Sequence, residues 1–353
     1  MRKFIRNIII AINLALALLL ILSYFLPGIN PSVFWWPSLM GLLYPYLLII
    51  NALFVLFWML FSWKYLFISL ICILAGYNLH RNYIQLEGLE VERPNSIKIL
   101  SFNVNHFYTY LNDKNSEDNI LSFIAAQEAD IICLQETKLQ KIGELNPIKL
   151  KERFPNINYC QLAHQSKWNG PVTFSRFPIV YMGELRFEES NNMVIFTNII
   201  IDTDTVRIYN CHLQSYGIRP EDYSIIDSLS LQNVKVNEMK QLGLKLRDGY
   251  KHRAVQVEVL KEHIEQCPYP VIVCGDFNDT PNSFTYRKIG ETLSDSFVKS
   301  GKGISNTYRG KLPSYRIDYI MYSQHFNSFN YRRHRVDYSD HFPISVNLEK
   351  VEI

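Results

Sequence analysis

Charge is what this sequence lacks first. Residues 8–26, IIIAINLALALLLILSYFL, contain none, and across residues 33–79 only Lys64 is charged. Soluble cores rarely run so far without an ionisable side chain, and about 20 apolar residues suffice to cross a bilayer as a helix. The first stretch predicts one span, about 8–26. The second is too long for one and predicts a hairpin of two, about 39–61 and 65–79, turning at SWKY (62–65). A cleaved signal peptide is the competing reading of the first stretch. It has the basic start, Arg2, Lys3 and Arg6, but its apolar core is long and no small-x-small cleavage site follows.

Basic residues are also missing from the 27–38 loop, whereas they precede the first stretch and occupy the 62–65 turn. By the positive-inside rule the N-terminus and Lys64 belong in the cytoplasm. Three crossings then deliver everything after Arg81 to the outer face, in a bacterium the periplasm or cell exterior. If the third stretch does not cross, the placement inverts.

Net charge is absent from the rest. Six of the 36 Lys and Arg and three of the 33 Asp and Glu precede residue 94, which leaves 30 of each sign in 94–353. A nucleic-acid binder ordinarily carries a basic footprint, so this balance gives strong DNA binding no support. Cysteine patterning is missing too. Five cysteines lie in this portion, an odd number, with no CxxC and no zinc-like spacing. Cys133, Cys211 and Cys274 each interrupt an apolar run and read as small buried hydrophobes. There is no internal repeat and no low-complexity tract.

What is present after residue 85 begins with a polar, Gly- and Pro-containing linker, LEGLEVERPNS (86–96). From 97 to 353, short runs rich in β-branched residues recur at 97–104, 130–135, 171–175, 193–201, 205–213, 270–275, 316–322 and 343–348. Helical patterns fall between them at 117–128 and 253–266. Strands interleaved with helices over this length predict one α+β or α/β domain. Residues 214–252 are long, polar and mixed; they read as a surface helix, or as an element facing the membrane or covering a substrate.

Several of these runs end alike. IKILSFNVNHF delivers Asn103, ADIICLQETK delivers Glu136, and VRIYNCHLQS delivers His212. VIVCGDFNDTP delivers Asp276 and Asn278. YRIDYIMYS contains Asp318, and YSDHFPISVNL sets Asp340 and His341 before the last run. Polar residues at so many strand ends predict convergence on one site. Asp276 and Asn278, two apart, leave the same face of an extended chain, with Phe277 turned to the core. Asp340 and His341 point oppositely in a strand, so one of them belongs on a turn.

Carboxylate and amide oxygens without a thiolate favour Mg²⁺, Mn²⁺ or Ca²⁺ over zinc. Such an ion polarises a phosphoryl oxygen, a nearby carboxylate activates water, and histidines donate to phosphoryl oxygens. Hydrolysis of a phosphate ester uses all of these parts.

SFNV, LQET, YNCHL, GDFN, RIDYI and SDHFPI occur in the order typical of the endonuclease/exonuclease/phosphatase (DNase I-like) superfamily, which the chain resembles over roughly 97–348. The resemblance implies a two-sheet β-sandwich flanked by helices and a hydrolase dependent on Mg²⁺ or Mn²⁺. It implies metal-site roles for Asn103, Glu136 and Asp340. It implies that His212 contacts the scissile phosphate, Asp276 orients or deprotonates the attacking water, and Asn278 stabilises the transition state. His341 would bind phosphate and Asp318 would orient it. Arg253, Asp295 and Tyr308 sit in family-like surroundings and read as structural.

Family membership does not choose a substrate. Tethering to a bilayer raises the effective concentration of anything in the same membrane, so a lipid-linked phosphate or phosphodiester is the preferred class. The layout is similar to that of membrane-anchored members linked to undecaprenyl-pyrophosphate hydrolysis. The alternatives are an anchored nuclease acting on DNA or RNA and an inactive membrane scaffold.

Overall fold

The computed structural model describes residues 2–107, 116–138, 153–163, 169–218, 236–310 and 314–351. Two helices are long and apolar enough to cross a membrane, Lys3–Gly28 and Trp36–Phe61, and a shorter apolar one follows at Trp63–Ala75. In the regular α-helices α1 (Arg2–Phe25) and α2 (Leu39–Phe61), 24 and 23 residues rise about 35 Å, enough for a hydrocarbon layer of about 30 Å. The third, α3 (Leu66–Ala75), is followed by the one-turn helix α4 (Tyr77–His80).

The bundle inverts the usual pattern of burial. Leu14, Leu18, Leu53, Leu60 and Phe61 are exposed, while Asn13, Asn51 and Ser69 are fully buried. Those buried groups satisfy one another: Asn13 Nδ2 donates to Ser69 Oγ (2.6 Å), Ser69 Oγ to Asn51 Oδ1 (2.7 Å), and Trp58 Nε1 to Asn13 Oδ1 (2.9 Å). Helices that meet in lipid use such bonds as glue, since apolar contact gains little there.

The remainder is a sandwich of two six-stranded sheets. One runs β10 (Ser294–Asp295), β12 (Asp318–Tyr322), β9 (Val271–Asp276), β8 (Asp204–His212), β7 (Met193–Ile201), β6 (Ile179–Arg186). The other runs β13 (Phe326–Arg333), β14 (Ile344–Lys350), β2 (Ile97–Asn103), β3 (Ile131–Lys138), β5 (Asn169–Ser175), β4 (Tyr159–Leu162). Each has one parallel pair at its centre, β8–β9 and β2–β3. A small pair, β1 (Ile84–Gln85) with β11 (Gly303–Ile304), lies apart.

Alternation along the strands builds three apolar layers. Ile272 and Cys274 of β9 face the layer between the sheets, where they join Ile99, Cys133, Ile208 and Val346. Val271 and Val273 of the same strand face Ala254, Val257 and Leu260 on α6 (Val236–Glu265). On the opposite outer face, Leu100 and Phe102 meet Ile120 and Ile124 of α5 (Ser116–Ala126). Strands apolar on both faces read as continuous runs, which is why the sequence announces them. β4, β6 and β13 are not announced, and all three are sheet edges; Val180, Tyr181 and Met182 of β6 are exposed. The helix expected at 253–266 begins instead at Val236, taking in part of the mixed 214–252 stretch; residues 219–235 lie outside the described residues.

Bundle and sandwich pack together directly. The carbonyls of Ser23 and Tyr24 at the end of α1, which a helix leaves unpaired, accept from Asn282 Nδ2 (2.9 Å) and Arg287 Nη2 (2.6 Å). Arg287 belongs to α7 (Phe284–Gly290). Gly41 comes so close that a Cβ there would lie 2.2 Å from the Asn282 carbonyl oxygen. Residues 86–96 are pinned as well: Asn330 donates from its backbone N–H to Leu89 O (2.8 Å) and from Nδ2 to Val91 O (2.8 Å).

Candidate active site

The C-terminal ends of both parallel pairs meet. Asn103 closes β2, Glu136 lies near the end of β3, His212 closes β8 and Asp276 closes β9. Strand register does the rest. His212 is the partner of Asp276 across β8–β9, and Asp318 is its partner across β9–β12, so Asp276 has a neighbour on each side. The two central strands come unusually close just before it. A Cβ at Gly275 (φ +132°) would lie 2.0 Å from the Cys211 carbonyl oxygen, so only glycine fits.

All eight residues singled out by the sequence are brought to this cluster. Asn103 Nδ2 donates to both Glu136 Oε1 and Asp276 Oδ2, each at 3.1 Å. His212 Nε2 is 3.3 Å from Glu136 Oε1. His341 Nδ1 is 2.9 Å from Asp318 Oδ2, and its Nε2 is 3.8 Å from Asp276 Oδ2. Asp340 and His341 lie in the loop before β14 and line the same cavity as Glu136, Asp276 and Asn278. Ser339 Oγ fixes that loop by donating to Asn103 O (2.8 Å).

The same-face expectation for Asp276 and Asn278 needs correcting. Phe277 is indeed buried, with its ring 4.8 Å from Tyr319. Asn278, however, is not extended but left-handed, φ +52°. The turn brings it back over the aspartate: its N–H donates to Asp276 Oδ1 (2.8 Å), and its Nδ2 to Asp276 Oδ2 (3.2 Å) and Leu213 O (2.9 Å).

Positive φ in non-glycine residues is uncommon and concentrates where function holds the backbone. Besides Asn278 it occurs here at Glu136 (φ 53°) and at Asn105, His106 and Phe107 (42°, 56° and 60°). The last three turn His106 onto Glu136, Nε2 to Oε2 3.1 Å. His106 is a site residue that strand-end reasoning misses, although it stands only three positions past Asn103. Tyr308, read as structural, lines the cavity with its ring 5.5 Å from His341. Asp295 fits a structural reading: it caps α8 (Ser296–Ser300) and pairs with Arg316 at 2.7 Å. Arg253, fully buried, pairs with Asp279 at 3.2 Å.

The electrostatics follow from these contacts. Burial alone pushes the Glu136 carboxyl up, but the hydrogen bond and charge of His212, with Asn103 and His106, hold it well below the usual carboxylate range. Burial raises Asp276 to about 6; Asp318 adds to this, while His341 and His212 oppose it. Burial disfavours charged His341, yet the carboxylates of Asp318 and Asp276 outweigh it and carry the ring well above its ordinary value. His212 is raised too, burial being outweighed by Glu136.

Residues 100–341 match the family model described as endonuclease/exonuclease/phosphatase family. The chain belongs to that family. Residues 6–83 match a second model, a domain of unknown function. The Escherichia coli O6:H1 protein YbhP is 22% identical over 229 residues, 64% of this chain and 84% of that one. Among solved structures, Danio rerio TDP2 complexed with a single-strand DNA product aligns at a TM-score of 0.52 and 15% identity, over 72% of this chain and 99% of that one. The human Nocturnin catalytic domain aligns at 0.52 and 16%, over 74% and 97%. These structural likenesses concern the fold.

Members of the endonuclease/exonuclease/phosphatase family hydrolyse phosphoric esters, generally with a divalent metal, and the chain is a metal-dependent hydrolase of this class. Its donor set fits a cation. Glu136, His212 and Asp276 each offer a ligand atom within 4.8 Å of the others, as do Asp276, Asp318 and His341. Oxygen donors outnumber nitrogen, the preference of a hard ion.

Proposed function

We propose that the chain is a membrane-anchored phosphoesterase that uses Mg²⁺ or Mn²⁺ and acts on a phosphate ester or diester carried by a lipid. The observation that carries this reading is the cavity over the cluster, about 430 Å³. Its floor is Glu136, Asp276, Asn278, Asp340 and His341, and among the described residues that line it there is no Lys or Arg. Its walls are instead apolar, with Leu242, Leu246 and Ile317 among them. A nucleic-acid backbone needs cationic contacts for affinity, whereas an apolar wall suits the body of a lipid-linked substrate.

The residues divide the reaction among them. Glu136, with Asn103 hydrogen-bonded to it and Asp340 lining the same cavity, would hold the ion, which when bound polarises a phosphoryl oxygen and offsets charge on the leaving group. Asp276 orients the attacking water and takes its proton. His212, His341 and Asn278 donate to phosphoryl oxygens as charge grows there, and Asp318 keeps the His341 ring oriented through Nδ1. The water attacks in line with the departing oxygen.

Two features of the bundle support a placement. Its apolar exterior and hydrogen-bonded polar interior support a membrane setting. Lys3, Arg6 and Lys64 lie at the helix ends remote from the sandwich. That supports a cytoplasmic N-terminus and a catalytic domain on the extracytoplasmic face of a bacterial inner membrane.

The test is a substrate panel run with full-length protein in detergent, spanning an aryl phosphate, sphingomyelin, a phosphoinositide, a polyprenyl pyrophosphate and plasmid DNA. The expected result is hydrolysis with Mg²⁺ or Mn²⁺ that EDTA abolishes, fastest for a lipid-linked substrate. Plasmid nicking faster than hydrolysis of every lipid phosphate would make the enzyme an anchored nuclease instead. Hydrolysis that persists in EDTA would overturn the metal assignment.

A further inference from the structure

The helical bundle reaches into the catalytic cavity. Leu42, in the first turn of α2, lines it together with Asp276 and His341. Tyr315, another lining residue, holds that turn in place by donating from its hydroxyl to Leu42 O (2.9 Å). Leu242 and Leu246 line the same cavity; they are four apart, one above the other on α6. They stand N-terminal to the part of α6 that packs on the sheet, which starts at Ala254. The first turns of this helix therefore serve the cavity rather than the core.

Leu42 also begins a stripe. Tyr46, Ile49 and Leu53 follow it at spacings of four, three and four, on one face of α2. These three are 45%, 58% and 57% exposed. An uninterrupted apolar track thus runs along the outside of the bundle and ends beside the acids of the site.

We infer that the bundle is a wall of the active site and not only its tether. The slot lined by Leu42 and the Leu242–Leu246 pair receives the hydrocarbon chain next to the substrate's phosphate, and the α2 stripe leads that chain in from the bilayer. Leu42, Leu242 and Leu246 set specificity for a long-chain phosphate ester. This inference rests on the lipid-linked reading above and commits it to a named subsite. The chain is the fitting occupant because the slot is continuous both with the catalytic cluster and with a face that a membrane covers.

The experiment compares hexadecyl phosphate in mixed micelles with butyl phosphate, whose leaving alkoxide is of the same kind, using full-length protein and Mg²⁺, and reads the ratio of their kcat/KM values. In wild type the ratio favours the long chain. Leu242→Gln with Leu246→Gln lowers the ratio about tenfold or more, since each methylene that an apolar wall shields from water contributes about fourfold. Leu42→Gln acts in the same direction. Val255→Ser, on an exposed position of α6, leaves the ratio where it was. A general folding defect lowers both rates and leaves the ratio unchanged. A wild-type preference for the long chain that survives in both Leu variants overturns the wall and leaves the lipid-linked reading standing. A wild type without that preference overturns both.

Discussion

The bundle and the sandwich differ in what they bury and what they expose. In the bundle Asn13, Asn51 and Ser69 are inside beside a small apolar cluster of Leu20, Tyr24, Tyr44 and Leu47, while Leu14, Leu18, Leu53 and Leu60 are outside. In the sandwich Ile99, Ile208, Cys274 and Val346 are inside, and the strand faces turned outward on the edge strands carry the exposed side chains. One chain thus carries two patterns of burial, and the bundle's is the one helices that meet in lipid would need. In lipid, hydrogen bonds between helices supply what water-driven burial supplies elsewhere. The sandwich keeps its buried charges for places that need them, the catalytic cluster and the two ion pairs Arg253–Asp279 and Arg316–Asp295.

The sharpest way to test the sandwich half of this contrast is to remove the charge that the site is built around. Asp276→Asn should lower hydrolysis of an aryl phosphate about 10²–10⁴-fold, the usual contribution of a general base. The same change should hardly move the unfolding midpoint, because burial already disfavours the charged carboxylate there. A full rate in this variant would remove Asp276 from the mechanism.

Arg316 tests the buried ion pair at the join. It pairs with Asp295, donates to Asn82 O (2.7 Å), and lies against the rings of Phe297 and Tyr319. Arg316→Met should cost about 3–5 kcal/mol, because it strands a buried aspartate. Adding Asp295→Asn, which removes the stranded charge but keeps an oxygen for the α8 cap, should recover much of that loss in chemical denaturation. If the single variant costs no more than the double one, the pair is not what holds this region.

The bundle half is tested by Leu14→Asp. Leu14 is 52% exposed near the middle of α1. In water an exposed Leu→Asp change is worth about 0.5 kcal/mol or less, whereas in the bilayer it costs about 2.5–3.5 kcal/mol. A reduced yield of carbonate-resistant, membrane-inserted protein is the expected outcome. Unchanged insertion would make the bundle a water-soluble structure and dissolve the contrast.

The two regions also differ in how legible they are in the sequence. Strands such as β9 are apolar on both faces, so their runs are continuous and their polar last residues mark the strand ends; Asn103, Glu136, His212 and Asp276 are visible for that reason. Edge strands need only one apolar face, so β13, FNSFNYRR, gives no signal. His106 depends on three successive left-handed residues, which propensity does not announce. The join is invisible for another reason. It uses the carbonyls of Ser23, Tyr24 and Leu42, and backbone groups carry no residue type.

The smallest expected effect belongs to the sandwich alone. Between residues 7 and 63 there is no Asp, Glu, Lys, Arg or His, so that stretch of the two long helices adds no carboxylate, amine or imidazole titration to stability. His334 does. Burial, with Lys98 and Arg332 facing it, lowers its pKa to about 4, and its Nε2 bonds Ser345 Oγ at 2.8 Å. The folded protein therefore holds it neutral where the unfolded chain, at about 6.5, takes up a proton. Its contribution is complete above about pH 6.5 and is lost as pH falls toward 4. After allowance for its partial exposure, about 1–2 kcal/mol is at stake. Glu90 and Glu92 line the same hollow, so the informative quantity is the difference between wild type and His334→Gln, which leaves both carboxylates in place. Denaturation curves at pH 7 and pH 5 should converge for that pair as pH falls, with wild type losing more. Parallel losses would mean that the ring is protonated in the folded state, and that the hollow around it is wetter than its packing implies.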